Sequence, residues 1–202
     1  MNKKLLSAAC GVVLVAGIVT ANSAGAQNRT AKASLATAAG VQIGTVEFRI
    51  DRGGTEVRVR LTDAPGTDAF HGFHIHANDV VTATNGEGCI ADPLAAPSTW
   101  FVSAAGHFNP TGQTHSHHVG DMPVVYVNAD GSVETRFRID KINPSDLAGR
   151  VVILHAGADN FGNIPVGTGA SQYTANSPDA TAATAKTGNA GDRIACGVIA
   201  LR

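Results

Sequence analysis

The sequence predicts an all-β fold, an antiparallel sandwich or barrel of about eight short strands. Apolar and polar residues alternate in several short segments, which is the pattern of a strand with one buried face. The chain also contains 23 glycines, many of them between these segments, where turns are expected. No segment sustains an apolar period of 3.6 residues, so long helices are not expected.

Two pairs of segments are predicted to form β-hairpins. In the first pair, apolar and polar residues alternate over 46–50 and again over 57–61, on either side of a glycine turn. In the second pair, residues 124–127 and 133–139 flank a turn that ends at Gly131. Further strands are expected at residues 31–38, 72–77, 150–155 and 195–201.

Three long segments connect the predicted strands, at residues 78–105, 107–123 and 156–192. Connections of this length in a compact domain are usually functional or disordered. We therefore expect the functional residues to lie in or beside them.

The first 26 residues have the composition of a signal peptide. Two lysines precede an apolar run from Leu5 to Val19, and Ala24-Gly25-Ala26 supplies small residues for cleavage. A membrane anchor is the alternative, but the run is short for a membrane span and is not flanked by stop-transfer charges. We therefore expect a signal peptide over 1–26 and one domain over 27–202, exported without a stable membrane anchor to a periplasmic or secreted location.

The charge and cysteine content limit the kind of protein that this chain can be. With 15 basic and 16 acidic residues the chain is nearly neutral, which argues against a nucleic-acid-binding protein. Cys10 falls within the predicted signal peptide and leaves Cys89 and Cys196 as an even pair. In an exported chain, such a pair indicates one disulfide.

The 8 histidines are distributed unevenly along the chain. His74 and His76 lie on a predicted strand, where residues two apart project from the same face, about 7 Å from each other. Residues 107–121 then bring several more histidines and an aspartate close together. Such a density of imidazole side chains indicates a metal site.

The ligand types limit which metal chemistry is expected. Imidazole suits copper, zinc, iron and nickel, and a bridged cysteine pair leaves no thiolate for the metal. The chain has no H-E-x-x-H sequence of zinc hydrolases, no G-x-S-x-G nucleophile elbow and no phosphate-binding loop. Redox metal chemistry or metal carriage is therefore what remains.

Five motifs now show a resemblance to a known family, and they occur in that family's order. They are GFHIH at 72–76, GHFNP at 106–110, HVGD at 118–121, His155 with Asp159, and GNAGDRIACGVI at 188–199. With these motifs the chain resembles the copper/zinc superoxide dismutases, in bacterial exported form, from about residue 31 to residue 201. The resemblance implies an eight-stranded Greek-key β-barrel of the immunoglobulin-like sandwich type.

The resemblance also implies a role for each site residue. Copper would be held by His74, His76, His107 and His155. Zinc would be held by His107, His115, His118 and Asp121. Asp159 would connect a copper ligand to a zinc ligand through hydrogen bonds, and Cys89 and Cys196 would form the disulfide.

The implied activity is dismutation of superoxide to dioxygen and hydrogen peroxide. Copper would alternate between Cu(II) and Cu(I), and zinc, which has no redox chemistry, would be structural. The bridging His107 would take a proton when copper is reduced and help peroxide to leave. Arg193 would dock the superoxide anion, the small-molecule partner of the site.

The zinc half departs from the family pattern, because His115 and His118 are only three residues apart and His117 lies between them. We assign His115 and His118 as the zinc ligands, because the spacings from His107 to His115 and from His118 to Asp121 fit the family. The alternatives are a copper-dominant or zinc-deficient enzyme, and a non-catalytic metal-binding domain of the same fold.

Two histidines are expected to lie outside the metal ligands. His71 is expected to pack or to hydrogen-bond beneath the site, and His117 to face solvent. The resemblance leaves both a homodimer and a monomer open, since relatives differ in their assembly.

Overall fold

The computed structural model describes residues 30–78, 88–160 and 177–202. The strands are β1 (Thr30–Thr37), β2 (Gln42–Asp51), β3 (Gly54–Leu61), β4 (Ala69–His71), β5 (Phe73–His76), β6 (Val125–Val127), β7 (Val133–Ile139), β8 (Val151–His155) and β9 (Arg193–Leu201). Helix α1 spans Pro178–Thr187, and short 3-10 helices span Pro97–Thr99, Val102–Ala104 and Pro144–Leu147. The predicted signal peptide and parts of the segments 78–105 and 156–192 lie outside the described residues.

The all-β prediction is confirmed. A 7-stranded antiparallel sheet has the order β5-β8-β9-β1-β2-β3-β7 and curls into a half-barrel, and β4 and β6 form a 2-stranded sheet. The strand order places β5 and β8 at one end of the large sheet and β3 and β7 at the other. The histidine-bearing strands are therefore far from β7 in the sheet.

The first predicted hairpin is confirmed as β2 and β3. Val46 pairs with Val59, and Phe48 pairs with Val57. All four of these side chains are fully buried, whereas their neighbours along the strands face outward. Burial of each such side chain stabilises the fold by roughly 1.5–3 kcal/mol, which fixes the register of the hairpin.

The second predicted hairpin is wrong in its pairing. The turn is present, since the amide of Gly131 donates to the carbonyl of Asn128 at 2.8 Å. However, β6 pairs with β4, and β7 pairs with β3. The chain therefore passes from one sheet to the other at this turn. Strand β4, with 3 residues, is too short to show an alternating pattern, so no partner for β6 could be recognised from the sequence.

Helix α1 was not predicted, because its mixture of small residues shows no apolar face. Its ends do carry helix signals: Pro178 occupies the first turn, and Gly188 ends the helix with a φ of +64°. These two residues mark a ten-residue helix inside a segment that was expected to be a loop.

A second, smaller core lies under residues 88–105. Phe101, Ala104, Val151 and Ile153 pack there around Cys196, and Trp100 packs against them. The predicted disulfide is present, since Cys89 and Cys196 are bonded. This bond joins the segment 88–105 to β9, beside the histidines of β5 and β8.

Candidate metal centre

Strand pairing brings the first three histidines together. His74 and His76 occupy β5, where both are at most 1% exposed, and β5 pairs with β8, which ends at His155. The amide of His155 donates to the carbonyl of Gly72 at 2.9 Å. The imidazoles of His74 and His155 consequently lie 4.8 Å apart, centroid to centroid.

Two isolated β-bridges bring the segment 107–121 to the same place. One joins His76 to His107, and the other joins His74 to Asp121. The amide of Phe108 also donates to the carbonyl of Ile75 at 2.8 Å. The second histidine cluster is therefore held against β5 by backbone hydrogen bonds.

Four buried histidines form the first group, and each offers a ring nitrogen within 4.8 Å of the others'. They are His74, His76, His107 and His155. This is the set that the sequence assigned to copper, and the structure brings all of it together.

Hydrogen bonds determine which nitrogen of each ring faces inward. Nδ1 of His76 donates to the carbonyl of Ala105 at 2.8 Å, and Nδ1 of His155 donates to that of Gly191 at 3.1 Å. Because a carbonyl only accepts, Nε2 of each ring is left with a free lone pair. These two Nε2 atoms lie 3.4 Å apart.

The other two rings each hold a buried nitrogen that lacks a hydrogen-bond partner within the described residues. These atoms are Nδ1 of His74 and Nε2 of His107. A buried lone pair without a partner is costly unless a ligand occupies it. A nitrogen-preferring metal ion such as copper would satisfy both, so the group fits such an ion.

The second group surrounds the carboxylate of Asp121. Its oxygens lie 2.8 Å from Nδ1 of His107, 3.2 Å from Nδ1 of His115 and 3.2 Å from Nδ1 of His118. Nδ1 of His107 is also 3.1 Å from Nδ1 of His118. Three nitrogens and one oxygen are the donor types of a closed tetrahedral zinc site. The four residues whose donor atoms all lie within 4.8 Å of one another here are His74, His107, His115 and Asp121, whereas His118 approaches only His107 and Asp121.

His117 is exposed to solvent and does not belong to either group. His115 and His118, on either side of it, are 5% and 4% exposed. The amide of His115 donates to the carbonyl of Ala185 at 2.8 Å, so the end of α1 holds this histidine against Asp121. The short connection between His115 and His118 therefore still directs both rings inward.

Asp159 joins the two groups. Its Oδ2 accepts a hydrogen bond from Nε2 of His74 at 2.8 Å and lies 3.5 Å from Nε2 of His115. The side chain is fully buried. Gly72 leaves room for it, because a Cβ at this glycine would lie 2.6 Å from Oδ1 of Asp159.

These contacts shift the pKa values of the metal-free site. Burial alone lowers the pKa of His115, but its contacts with Asp121 and Asp159 outweigh burial and raise it to about 9. For His107, burial dominates and lowers the pKa to about 4. Burial opposes ionisation of Asp159, but the hydrogen bonds from His115 and His74 lower its pKa to about 2. At neutral pH His115 is therefore protonated and lies between the ionised carboxylates of Asp121 and Asp159.

Arg193 lies beside the first group, because it pairs with His155 where β8 and β9 meet. Its guanidinium donates to the carbonyls of Phe101 and Ala105. The same Ala105 carbonyl accepts from His76, so the arginine and a histidine of the first group share an acceptor. Burial lowers the pKa of Arg193 to about 10, which leaves it cationic at neutral pH.

Two further residues support the site. His71 is buried as expected, with its ring nitrogens 2.7 Å from the carbonyl of His155 and 2.6 Å from that of Gly66. Lys141 was not singled out from the sequence, although its Nζ donates to the carbonyl of His118 at 2.5 Å. A lone lysine after a strand carries no sequence signal for this contact.

Comparisons with known proteins agree with this geometry. The family model described as copper/zinc superoxide dismutase (SODC) matches residues 42–199. A protein named superoxide dismutase [Cu-Zn] from Mycolicibacterium paratuberculosis is 38% identical over 167 residues, which cover 79% of this chain and 69% of that protein. One of the same name from Mycobacterium tuberculosis is 35% identical over 181 residues, which cover 88% of this chain and 72% of that one.

Solved structures show the same likeness. A double mutant of a SOD-like protein from Bacillus subtilis matches with a TM-score of 0.56 at 27% identity, over 82% of this chain and 94% of that one. The clock protein EA4 matches with a TM-score of 0.61 at 27% identity, over 87% of this chain and 96% of that one.

Proposed function

The chain belongs to the copper/zinc superoxide dismutase family, and we propose that its two histidine groups are the copper and zinc sites of such an enzyme. The reaction converts two superoxide anions and two protons into dioxygen and hydrogen peroxide. We assign copper to His74, His76, His107 and His155, and zinc to His107, His115, His118 and Asp121.

One observation carries this assignment: the ring of His107 belongs to both groups. Its Nδ1 lies 2.8 Å from Asp121, whereas its Nε2 is buried without a partner in the described residues, among the histidines of the first group. An imidazole placed in this way supports a bridge between two metal ions. The adjacent groups differ in donor type, with nitrogen alone on one side, which suits copper, and a carboxylate added on the other, which zinc accepts.

Bound copper would supply one-electron acceptance and donation, and bound zinc a fixed positive charge. The chain's own residues account for substrate attraction and proton supply. Arg193 is cationic and held by two backbone carbonyls, which supports its role in docking the superoxide anion. Nε2 of His107 supports the role of proton carrier, since no described protein group competes for it.

We retain zinc in the proposal despite the short connection between His115 and His118. Both rings are buried and both Nδ1 atoms approach Asp121 at 3.2 Å. Nothing in the comparisons supports a zinc-deficient or non-catalytic member.

We also propose that the chain is exported after removal of residues 1–26, to a periplasmic or secreted location. The disulfide between Cys89 and Cys196 supports an oxidising compartment. Among the residues that the structure describes, no helix has the length and apolar character needed to cross a membrane.

Metal analysis combined with a superoxide disproportionation assay tests these assignments. We expect one copper and one zinc per chain, loss of copper and activity in His76→Ala, and loss of zinc in His118→Ala. His117→Ala is the matched control and should keep both metals, because this ring is exposed. Activity in copper-free protein would refute the mechanism, and unchanged zinc content in His118→Ala would refute the zinc assignment.

A further inference from the structure

The outer face of β2, β3 and β7 carries a cluster of arginines that the metal centre does not use. We call it the arginine face, and it comprises Arg49, Arg58, Arg60, Arg136 and Arg138. Each lies next to more buried side chains along its strand, so all five project from the same side of the sheet. These three strands contain no lysine. Their positive charge is therefore carried entirely by guanidinium groups.

The strand register places two of these cations directly opposite each other. Arg58 on β3 pairs with Arg136 on β7. Like charges in directly opposed positions destabilise a sheet. On its other side Arg58 faces Glu47 of β2, and the carboxylate of Glu56 approaches both arginines. An additional anion bound between the two guanidiniums would reduce the remaining repulsion further.

Acidic neighbours neutralise the cluster only in part. One carboxylate, that of Glu56, lies 3.7 Å from Arg49, 4.0 Å from Arg58 and 3.6 Å from Arg136. The carboxylate of Glu134 lies 3.6 Å from Arg60. These separations are longer than a hydrogen bond. The ion pairs are therefore loose, and three of the arginines share the carboxylate of Glu56. Glu47, the third acid of this face, contacts Lys32 instead.

The N–H groups of Arg49, Arg58, Arg60 and Arg136 are consequently available to bind a ligand. Arg138 donates to the carbonyls of Asp51 and Arg52, and the half-buried Arg193 also donates to carbonyls. By contrast, within the described ranges the structure gives no hydrogen bond from the guanidiniums of Arg49, Arg58, Arg60 and Arg136. Their side chains are 61%, 34%, 51% and 62% exposed, respectively. A planar guanidinium with free N–H groups matches a phosphate oxygen pair better than a lysine does.

We propose that the arginine face binds inorganic polyphosphate, a linear chain of phosphate groups. Neighbouring strands are about 4.8 Å apart and residues two apart on one strand are about 7 Å apart, so successive phosphates can contact different arginines. Arg49 and Arg58 also line a groove of about 460 Å³, whose other charged residues are Lys32, Arg202, Glu47 and Glu56. With four cationic and two acidic side chains, this groove extends the cationic surface in the direction of β1.

A polymer fits this face better than a lipid surface does. Membrane-binding surfaces combine basic residues with apolar side chains that insert between the lipids. The exposed large apolar residues of the described chain lie elsewhere, and none is on β2, β3 or β7. The nearly neutral overall charge of the chain conceals this local excess of cations.

Fluorescence anisotropy with labelled inorganic polyphosphate, recorded over a series of salt concentrations, tests the proposal. The Arg58→Gln/Arg136→Gln double variant should bind at least tenfold more weakly. Its plot of log affinity against log salt concentration should be shallower by about two units, since two phosphate contacts are lost. Dismutase activity should be unchanged, because β3 and β7 lie at the far end of the sheet from β5 and β8, and this activity also reports correct folding.

Charge-matched variants separate the face from the net charge of the protein. Arg136→Gln should weaken binding several-fold, whereas Lys186→Gln on α1 removes the same charge and should not. Glu134→Gln should tighten binding, whereas Asp179→Asn on α1 should leave it unchanged. Equal effects within either pair would refute the proposal, as would absence of polyphosphate binding at 50 mM salt.

Tighter binding to phosphatidylglycerol vesicles than to polyphosphate, at equal phosphate concentration, would instead identify a lipid occupant and overturn the proposal of a polymer.

Discussion

Asp159 accepts a hydrogen bond from Nε2 of His74 at 2.8 Å, and the two side chains are fully buried. The same carboxylate oxygen lies 3.5 Å from Nε2 of His115. A ring in the proposed copper group and a ring in the proposed zinc group are thus oriented by one anion. This arrangement couples the geometry of the two groups.

Asp159→Asn is expected to lower zinc affinity by roughly 10- to 100-fold, the usual effect of losing a partner that orients a ligand. The amide keeps the volume of the side chain but loses the charge that holds His115. Competition with a chromophoric zinc chelator measures the effect. Asp179→Asn, at an exposed position on α1, is the matched control. Equal zinc affinity in the two variants would contradict the orienting role.

Lys141→Met is expected to weaken zinc retention, because Nζ of Lys141 holds the backbone carbonyl of His118 at 2.5 Å. Methionine keeps the apolar length of the side chain but cannot donate. Lys141→Arg should restore retention, since it can still donate to the carbonyl. Lys32→Met provides a control, because Lys32 lies on β1 and forms an ion pair with Glu47 of β2, away from the zinc group. The measurement is zinc content after dialysis against a chelator, and failure of arginine to rescue would count against the contact.

Most of the fold could be predicted from local sequence patterns, whereas strand order could not. The β2–β3 hairpin follows from alternation on both sides of one turn, because neighbouring strands then share a buried face. The same reasoning failed at Gly131, where the chain changes sheets. The pairing of β6 depends on β4, a contact between segments more than fifty residues apart that no local pattern reveals.

The residues that come together in the two groups could be predicted in greater detail than the strand order, because they lie in short motifs with fixed spacing. His74 and His76 come together on one strand for purely local reasons. Helix α1 and Lys141 were missed, although both contact the zinc group through backbone carbonyls. A carbonyl is present at every residue, so the sequence does not indicate which one is used.

Gly188→Ala is expected to disturb the zinc group through His115. A Cβ at Gly188 would lie 2.5 Å from Nε2 of His115, and the glycine has a φ of +64°. Gly112 has the same φ of +64°, but a Cβ added there would have nothing within 4 Å, so Gly112→Ala isolates the backbone strain. Both variants should lose about 1–2 kcal/mol of stability from that strain, but only Gly188→Ala should lose zinc affinity. Equal zinc affinities would show that the ring tolerates the added methyl group.

Zinc binding is expected to release about one proton per chain at pH 7. Burial lowers the pKa of His115, but its contacts with Asp121 and Asp159 outweigh burial and raise the pKa to about 9. The metal-free ring is therefore protonated at pH 7. Zinc requires the neutral ring and must displace this proton. Affinity should therefore rise between pH 7 and about 9 and then level off. Calorimetry in buffers of different ionisation enthalpy counts the protons, and His115→Gln should abolish the release.

Removal of the disulfide tests whether the segment 88–105 positions Arg193. The bond between Cys89 and Cys196 spans 107 residues, and loss of such a bond from a small exported domain costs about 2–5 kcal/mol. The carbonyls of Phe101 and Ala105, which accept from Arg193, lie in the segment that this bond tethers. Cys89→Ser/Cys196→Ser should therefore unfold at lower denaturant concentration and also turn over superoxide more slowly per bound copper. Because the rate is normalised to copper content, metal loss alone does not explain a decrease. An unchanged rate per copper in the destabilised variant would show that the two carbonyls hold Arg193 without the tether.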